Sequence, residues 1–376
     1  MHTFLHLADI HLDASFICRS QSMREQLRSE LLAAFWNAID YAIRERVLAV
    51  FIVGDLLEAD HLSVETELFL LEQCRRLDEA HIPCVYVSGD RDPGSHLSRA
   101  YAMPWPESFI YISANQPRVI ELQDVDGTPI VRLVGAGHEA GTEGANLISA
   151  YPGARAEIPT FGLLHSAAEG ARPTGSEHRT AVVATASLQR LGYTYWALGH
   201  MNAMQRLEAV GNAWYPGSLM GRSAEETGLH GGLLVTLQDD GAVSVAFKPF
   251  SRVEWVQVTL SDLVQETEQM MRRMDAEFQT DVPGNRGCSL LCSSACSFAS
   301  RTFASAVTHA CLTLSIDLPS QPRESDHCPR QTLKSNQTSG GRPPPLAVRV
   351  QSFTTLPPRS QASAAMVRAC ARVGPA

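Results

Sequence analysis

Apolar runs that each stop at an Asp or a His recur up to residue 200, and no other feature constrains the fold as much. Phe4–Ala8 leads into Asp9-Ile10-His11, and Val47–Val53 into Gly54-Asp55. Pro83–Val87 leads into Ser88-Gly89-Asp90, Pro159–Leu164 into His165, and Tyr195–Leu198 into Gly199-His200. Short apolar runs bounded by turn residues read as buried strands. Side chains on an extended chain repeat with a period of two, so Asp9 and His11 point the same way.

Between these runs lie helical patterns. Arg24–Arg44 carries Leu27, Leu31, Ala34, Phe35, Ala38 and Ile39 at helical spacing, and Val64–Ala80 is a second helix. The β-α-β-α-β order predicts an α/β sheet covered on both faces. A further strand is expected at Ile130–Val134, and a hairpin pairing Ala213–Tyr215 with Gly232–Leu237. Val243–Phe247 follows the Asp239-Asp240-Gly241 turn, then the strand Val253–Val258 and an amphipathic helix Ser261–Phe278 capped by Ser261.

In open α/β sheets ligands bind beyond the carboxyl ends of the strands. Asp9, His11, Asp55, Asp90, His165 and His200 all stand at such ends, so they are expected to converge. Their mixed nitrogen and oxygen donors suit Mn²⁺, Fe²⁺ or Zn²⁺. Asp55, between two groups of ligands, is placed to bridge two metals.

The order Asp-x-His, Gly-Asp, Gly-Asn-His-Asp, His, Gly-His-x-His defines the calcineurin-like metallophosphoesterases. This chain resembles them in Asp9-Ile10-His11, Gly54-Asp55, Gly89-Asp90-Arg91-Asp92, His165 and Gly199-His200-Met201-Asn202. Within that family the stretches His6–Leu12, Tyr195–His200 and Tyr215–Gly221 are similar to the SbcD-type DNA repair exonucleases and their YhaO-like relatives.

The resemblance implies fold class α/β, a layered sandwich with helices flanking central mixed sheets. It implies two divalent ions, Mn²⁺ first among them, with Fe²⁺ or Zn²⁺ as alternatives. Asp9, His11 and Asn202 would hold one, Asp90, His165 and His200 the other, with Asp55 between. It further implies hydrolysis of DNA phosphodiester bonds, a coiled-coil ATPase partner of the SbcC or YhaN kind, and a homodimer.

Two positions depart from the family. Asn202 offers an amide oxygen, a weaker ligand for a transition metal than imidazole. Arg91 stands where the family has a histidine over the scissile phosphate; it cannot give up its proton near neutral pH, yet its charge can stabilise the phosphate. Arg91 is therefore read either as a phosphate contact or as the partner of Asp90 or Asp92. The alternative function is a catalytically weakened subunit that binds DNA or a protein; a small-molecule phosphodiesterase is a third reading.

The net charge of −9 is unevenly spread. Residues 287–376 hold nine Lys or Arg against three Asp or Glu, so the acidic excess lies wholly in the preceding body. An acidic body argues against a broad phosphate-binding face, though bound metal ions can supply positive charge locally. The same 90 residues carry 14 Ser, 9 Pro and 6 Cys without sustained periodicity. They read as a low-complexity tail, disordered or frame-shifted. Cys288, Cys292 and Cys296 lack an evident fourth ligand for zinc. The expected division is a metallophosphoesterase domain at 1–250, a truncated capping region at 251–285 and the tail at 286–376. No basic leader precedes the first strand and no run is long enough to span a bilayer, so a cytoplasmic location without membrane contact is expected.

Overall fold

The computed structural model describes residues 1–16, 20–58, 62–96, 98–124, 126–141, 145–172, 181–223 and 225–260, with short strands at 289–293, 311–314, 350–353 and 366–373. The chain divides into two compact units, Met1–Trp255 and Val256–Ala376.

The first unit is built from two six-stranded mixed sheets. In the first sheet β1 (His2–Leu7), β2 (Ala49–Val53), β3 (Cys84–Val87) and β4 (Phe109–Ile112) run parallel. Its second sheet starts with β5 (Arg118–Gln123), β6 (Pro129–Ala136), β7 (Thr160–His165) and β8 (Tyr195–Gly199). There β6, β7 and β8 are parallel and β5 is antiparallel to β6. The short strands β9 (Gln205–Arg206) and β10 (Ala213–Tyr215) finish that sheet, β10 lying parallel to β8. The chain then returns to the first sheet as β11 (Gly231–Leu237), antiparallel to β1, and β12 (Val243–Pro249), antiparallel to β11.

The expected pairing of Ala213–Tyr215 with Gly232–Leu237 is thus corrected, because the two segments belong to different sheets. Gly232–Leu237 instead forms its hairpin with β12 through the Asp239-Asp240-Gly241 turn. The layered sandwich implied by the resemblance is present: two mixed sheets pack on one another, where the β-α-β-α-β order alone suggests one. Phe4, Phe51, Val85, Phe161, Leu163, Tyr195 and Val235 fill the space between them. The Phe4 ring lies 5.4 Å from Phe51 and 5.3 Å from Phe161. Such aromatic pairs add about 0.5–1.5 kcal/mol each beyond their buried area.

Helices cover the outer faces. Helix α1 (Gln21–Arg44) buries Leu27, Leu31, Ala34, Phe35, Ala38, Ile39 and Ala42, which recur on one stripe, and Ser20 caps it by accepting the Met23 N–H. Glu30 interrupts the stripe, and Arg252 satisfies its buried carboxylate with two hydrogen bonds of 2.9 and 2.7 Å. Helix α2 (Val64–Glu79) packs on α1 through Phe35 and Phe69. On the second sheet's outer face, Leu188 and Leu191 of the helix Thr185–Leu191 pack in a cluster with Leu164, Trp196 and Leu198.

The strand expected at Val253–Val258 is present as Val253–Leu260. In the second unit, Ser289–Ser293 pairs antiparallel with Met366–Val373, and Cys311–Leu314 with Val350–Phe353. The helix expected at Ser261–Phe278 and most of the expected tail lie outside the described residues. Among the described residues, no helix is long and apolar enough to cross a membrane.

Candidate metal centre

The six strand-end donors do converge. Asp9, His11 and Asp55 present ligand atoms within 4.8 Å of one another, and so do Asp90, His165 and His200. Asp55 stands between the groups: its Oδ2 lies 3.7 Å from His11 Nε2 and its Oδ1 3.5 Å from His165 Nε2. One carboxylate therefore turns an oxygen to each group.

The backbone bends sharply to bring this about. Asp9, His11, Asp55 and His200 have φ of 50°, 53°, 51° and 99°. Left-handed conformations at non-glycine residues cost on the order of 1–3 kcal/mol each and concentrate at functional sites. Glycines let the loops close: a Cβ on Gly54, which has φ of 79°, would meet His165 Nδ1 at 2.0 Å. A Cβ on Gly89 would meet Asp55 Oδ1 at the same distance.

Hydrogen bonds orient the donors. The His165 Nδ1–H donates to the Val53 carbonyl at 2.9 Å, which turns Nε2 toward Asp90 Oδ1, also at 2.9 Å. His200 Nδ1 is 3.0 Å from the same Asp90 oxygen, and the His200 backbone N–H donates to Asp9 Oδ2 at 2.9 Å. His11 Nδ1 faces Glu58 Oε2 at 2.8 Å, leaving Nε2 toward Asp9 and Asp55.

Four carboxylates, Asp9, Asp55, Asp90 and Asp92, crowd one largely buried space. Burial pushes the Asp55 carboxyl well above the usual range; Asp90, Asp92 and Asp9 push the same way and His165 opposes them. Burial alone would lower His165, but Asp55 and Asp90 hold its imidazole well above the ordinary value. Burial would raise Asp90, yet the hydrogen bonds of His165 and His200 pull it far below the usual range. A cluster of buried carboxylates that stabilises positive charge on His165 is equally suited to divalent cations, and the mixed donors fit a transition metal.

Asn202 is buried, and its Oδ1 accepts a hydrogen bond from Arg222 Nη2 at 3.3 Å. The Arg91 backbone N–H donates to Asp55 Oδ1 at 2.9 Å, and its guanidinium lies 3.9 Å from Glu58. Among the described residues its ion pair is with Glu58, which corrects the expected partnership with Asp90 or Asp92.

Several residues of this region were not anticipated. His138 follows β6, and its Nε2–H donates to the His165 carbonyl at 2.6 Å; the strand-end rule, carried past Val134 to the true end of β6, would have found it. Glu58 and Arg222 sit in loops without periodicity, and no local signal marks them. Asp92 lies inside a quoted motif, but its role as an acceptor for backbone N–H groups appears only in three dimensions.

The sequence model of the family described as Calcineurin-like phosphoesterase matches residues 2–203. The chain is 29% identical over 258 residues to an uncharacterized metallophosphoesterase, YhaO of Bacillus subtilis, covering 67% of this chain and 61% of that one. It is 24% identical over 213 residues to the DNA double-strand break repair protein Mre11 of Saccharolobus solfataricus, covering 55% of this chain and 51% of that one. The chain thus spans less than two thirds of the length of these relatives. The solved structure of a dimetal phosphatase from Danio rerio is 13% identical, with a TM-score of 0.36 over 63% of this chain and 93% of that one.

Proposed function

Because the chain belongs to the calcineurin-like phosphoesterase family, we propose that it is a metal-dependent exonuclease of the DNA repair type, hydrolysing phosphodiester bonds in DNA. The observation that carries this reading is the Asp55 carboxylate, which faces His11 with one oxygen and His165 with the other.

In this reading Asp9, His11 and Asp55 hold one ion, assisted by Asn202, while Asp55, Asp90, His165 and His200 hold the other. Mn²⁺ is the proposed metal, with Fe²⁺ or Zn²⁺ able to substitute. Two such ions supply an activated water and stabilise the charge that develops on phosphate. The chain's own residues align the donors: Val53 fixes the His165 ring, and Glu58 fixes His11. Arg91 brings positive charge to the phosphate and holds its proton throughout.

The proposed division keeps residues 1–250 as the catalytic domain, 251–285 as a partial capping region and 286–376 as a tail. A coiled-coil ATPase of the SbcC or YhaN kind and a second copy of the chain are the proposed partners, and the cytoplasm is the proposed location. The partners and the capping region are carried over from the resemblance, while the tail and the location rest on composition and on the pattern of apolar runs.

The replacement of two family histidines by Arg91 and Asn202 favours a second reading, a weakened phosphoesterase fold that binds DNA or a partner. Digestion of linear duplex and single-stranded DNA with Mn²⁺ separates the two. Cutting by the parent protein and none by Asp55→Ala supports the enzyme; an inert parent that gains activity as Arg91→His supports the binding subunit. Hydrolysis of small phosphodiesters with DNA left intact overturns the DNA substrate.

A further inference from the structure

The two donor groups are not electrostatically equivalent. Among the described residues neither group has an arginine in ion-pair contact with its own carboxylates. The Asp9, His11 and Asp55 group is nevertheless bordered by the guanidinium of Arg222, through Asn202 and Glu58. Nη2 of Arg222 donates to Asn202 Oδ1 at 3.3 Å, and Nη1 lies 3.4 Å from the Glu58 oxygen that faces His11 Nδ1. One cation thus engages both the fourth donor of this group and the carboxylate that orients its histidine.

Arg222 is held firmly in place. Its backbone N–H and its Nη2 donate to the two Glu226 oxygens, each at 3.1 Å. Glu226 also accepts from the buried Ser218 hydroxyl at 3.1 Å, and His230 Nδ1 lies 3.0 Å from that hydroxyl. The Ser218 backbone N–H in turn donates to the Asn202 carbonyl, so the two loops are tied together. Moving the guanidinium away would strand a buried carboxylate, which is costly.

We propose that Arg222 acts as a resident cation beside the Asp9, His11 and Asp55 group, so that the protein binds one ion tightly in the Asp90, His165 and His200 group and a second much more weakly. A fixed positive charge repels an incoming divalent ion, and an amide oxygen already accepting a hydrogen bond is a poor donor. Arg222 is thereby a positioning residue that sets metal stoichiometry. The inference rests on the metal-binding reading above and goes beyond it in ranking the two half-sites.

The test is a Mn²⁺ titration of the metal-free full chain, followed by calorimetry and by electron paramagnetic resonance. At one equivalent the expected spectrum is that of an isolated Mn²⁺, with the second ion at least about tenfold weaker, the scale on which groups behind a ligand alter affinity. Asn202→His and Arg222→Gln should each tighten the second ion about tenfold or more while leaving the first within about twofold. His200→Ala should remove the tight ion, and His11→Ala only the weak one. Asn202→His leaves the Glu226 network intact, so it decides the matter if Arg222→Gln fails to fold. Equal affinities, a spin-coupled pair at one equivalent, or a second ion unmoved by Asn202→His overturns the inference while metal binding stands. No Mn²⁺ binding at all overturns the metal reading itself.

Discussion

Asp92 holds Asp55 in place through the backbone: the Asp55 N–H donates to Asp92 Oδ1 at 3.1 Å. The same carboxylate accepts the Gly89 N–H at 2.7 Å, the Leu57 N–H at 3.0 Å and the Tyr86 hydroxyl. It therefore joins the loop after β2 to the loop after β3, and both loops carry donors of the centre. Asp92→Ala leaves these buried N–H groups without that acceptor, at about 1–3 kcal/mol for each one left unsatisfied. Urea denaturation should show a loss of at least about 3 kcal/mol, with Mn²⁺ binding weakened in the fraction still folded.

Asp55 works against the stability of the metal-free protein. Its carboxyl is pushed well above the usual range by burial and by neighbouring carboxylates, so holding it ionised at neutral pH costs folding energy. Asp55→Asn should raise the melting temperature of metal-free protein and abolish the rise that added Mn²⁺ produces in the parent. The folded state binds this proton more readily than the unfolded chain does, so the penalty fades on acidification. The variant's advantage should shrink as the pH falls.

His6 predicts an acid limb of the opposite sign. It lies fully buried in β1 with Nδ1 3.0 Å from the Tyr195 hydroxyl, and burial pushes its imidazole down to about 3. The unfolded chain takes up this proton near pH 6.5 and the folded protein does not. Stability from this residue is therefore full above about pH 6.5 and drains away toward pH 3, by at most about 5 kcal/mol. Unfolding free energies measured against pH should lose close to one proton's worth of slope in that window for His6→Gln.

Arg91→His should separate substrates by leaving group. A deoxyribose oxygen needs a proton as it departs, and nitrophenolate does not. Restoring an imidazole should accelerate DNA cleavage by about 10²–10⁴-fold, the range of general acid catalysis. Turnover of bis-p-nitrophenyl phosphate should change little, and only the DNA profile should gain an alkaline limb. Equal gains on both substrates would assign the effect to phosphate binding.

The residues that announced this site in the sequence did so because strands are local. An apolar run of five or six residues and the Asp or His that stops it are read in one window, and β1, β2, β7 and β8 were all found in this way. Partner strands are not local. Ala213–Tyr215 carries nothing in its three residues to say that Trp196, and not Gly232, lies beside it. β5 escaped for another reason: as Arg118-Val-Ile-Glu-Leu-Gln123 at a sheet edge it is largely exposed and has no apolar run to read. Glu58 and Arg222 act through partners 164 residues apart, a relationship that only folding creates.

The donors are divided between the sheets: Asp9, His11, Asp55 and Asp90 follow β1, β2 and β3, while His165 and His200 end or follow β7 and β8. The contact from His200 to Asp9 closes a loop of 191 residues, among the slowest kinds to form. A chain emerging during synthesis therefore carries its first carboxylates long before it has the histidines that complete the second donor group. Until the second sheet docks, those carboxylates are ordinary hydrated acids. The Asp90, His165 and His200 group is complete only after residue 200 has emerged and the second sheet has docked, so any chemistry that needs both groups is late by construction.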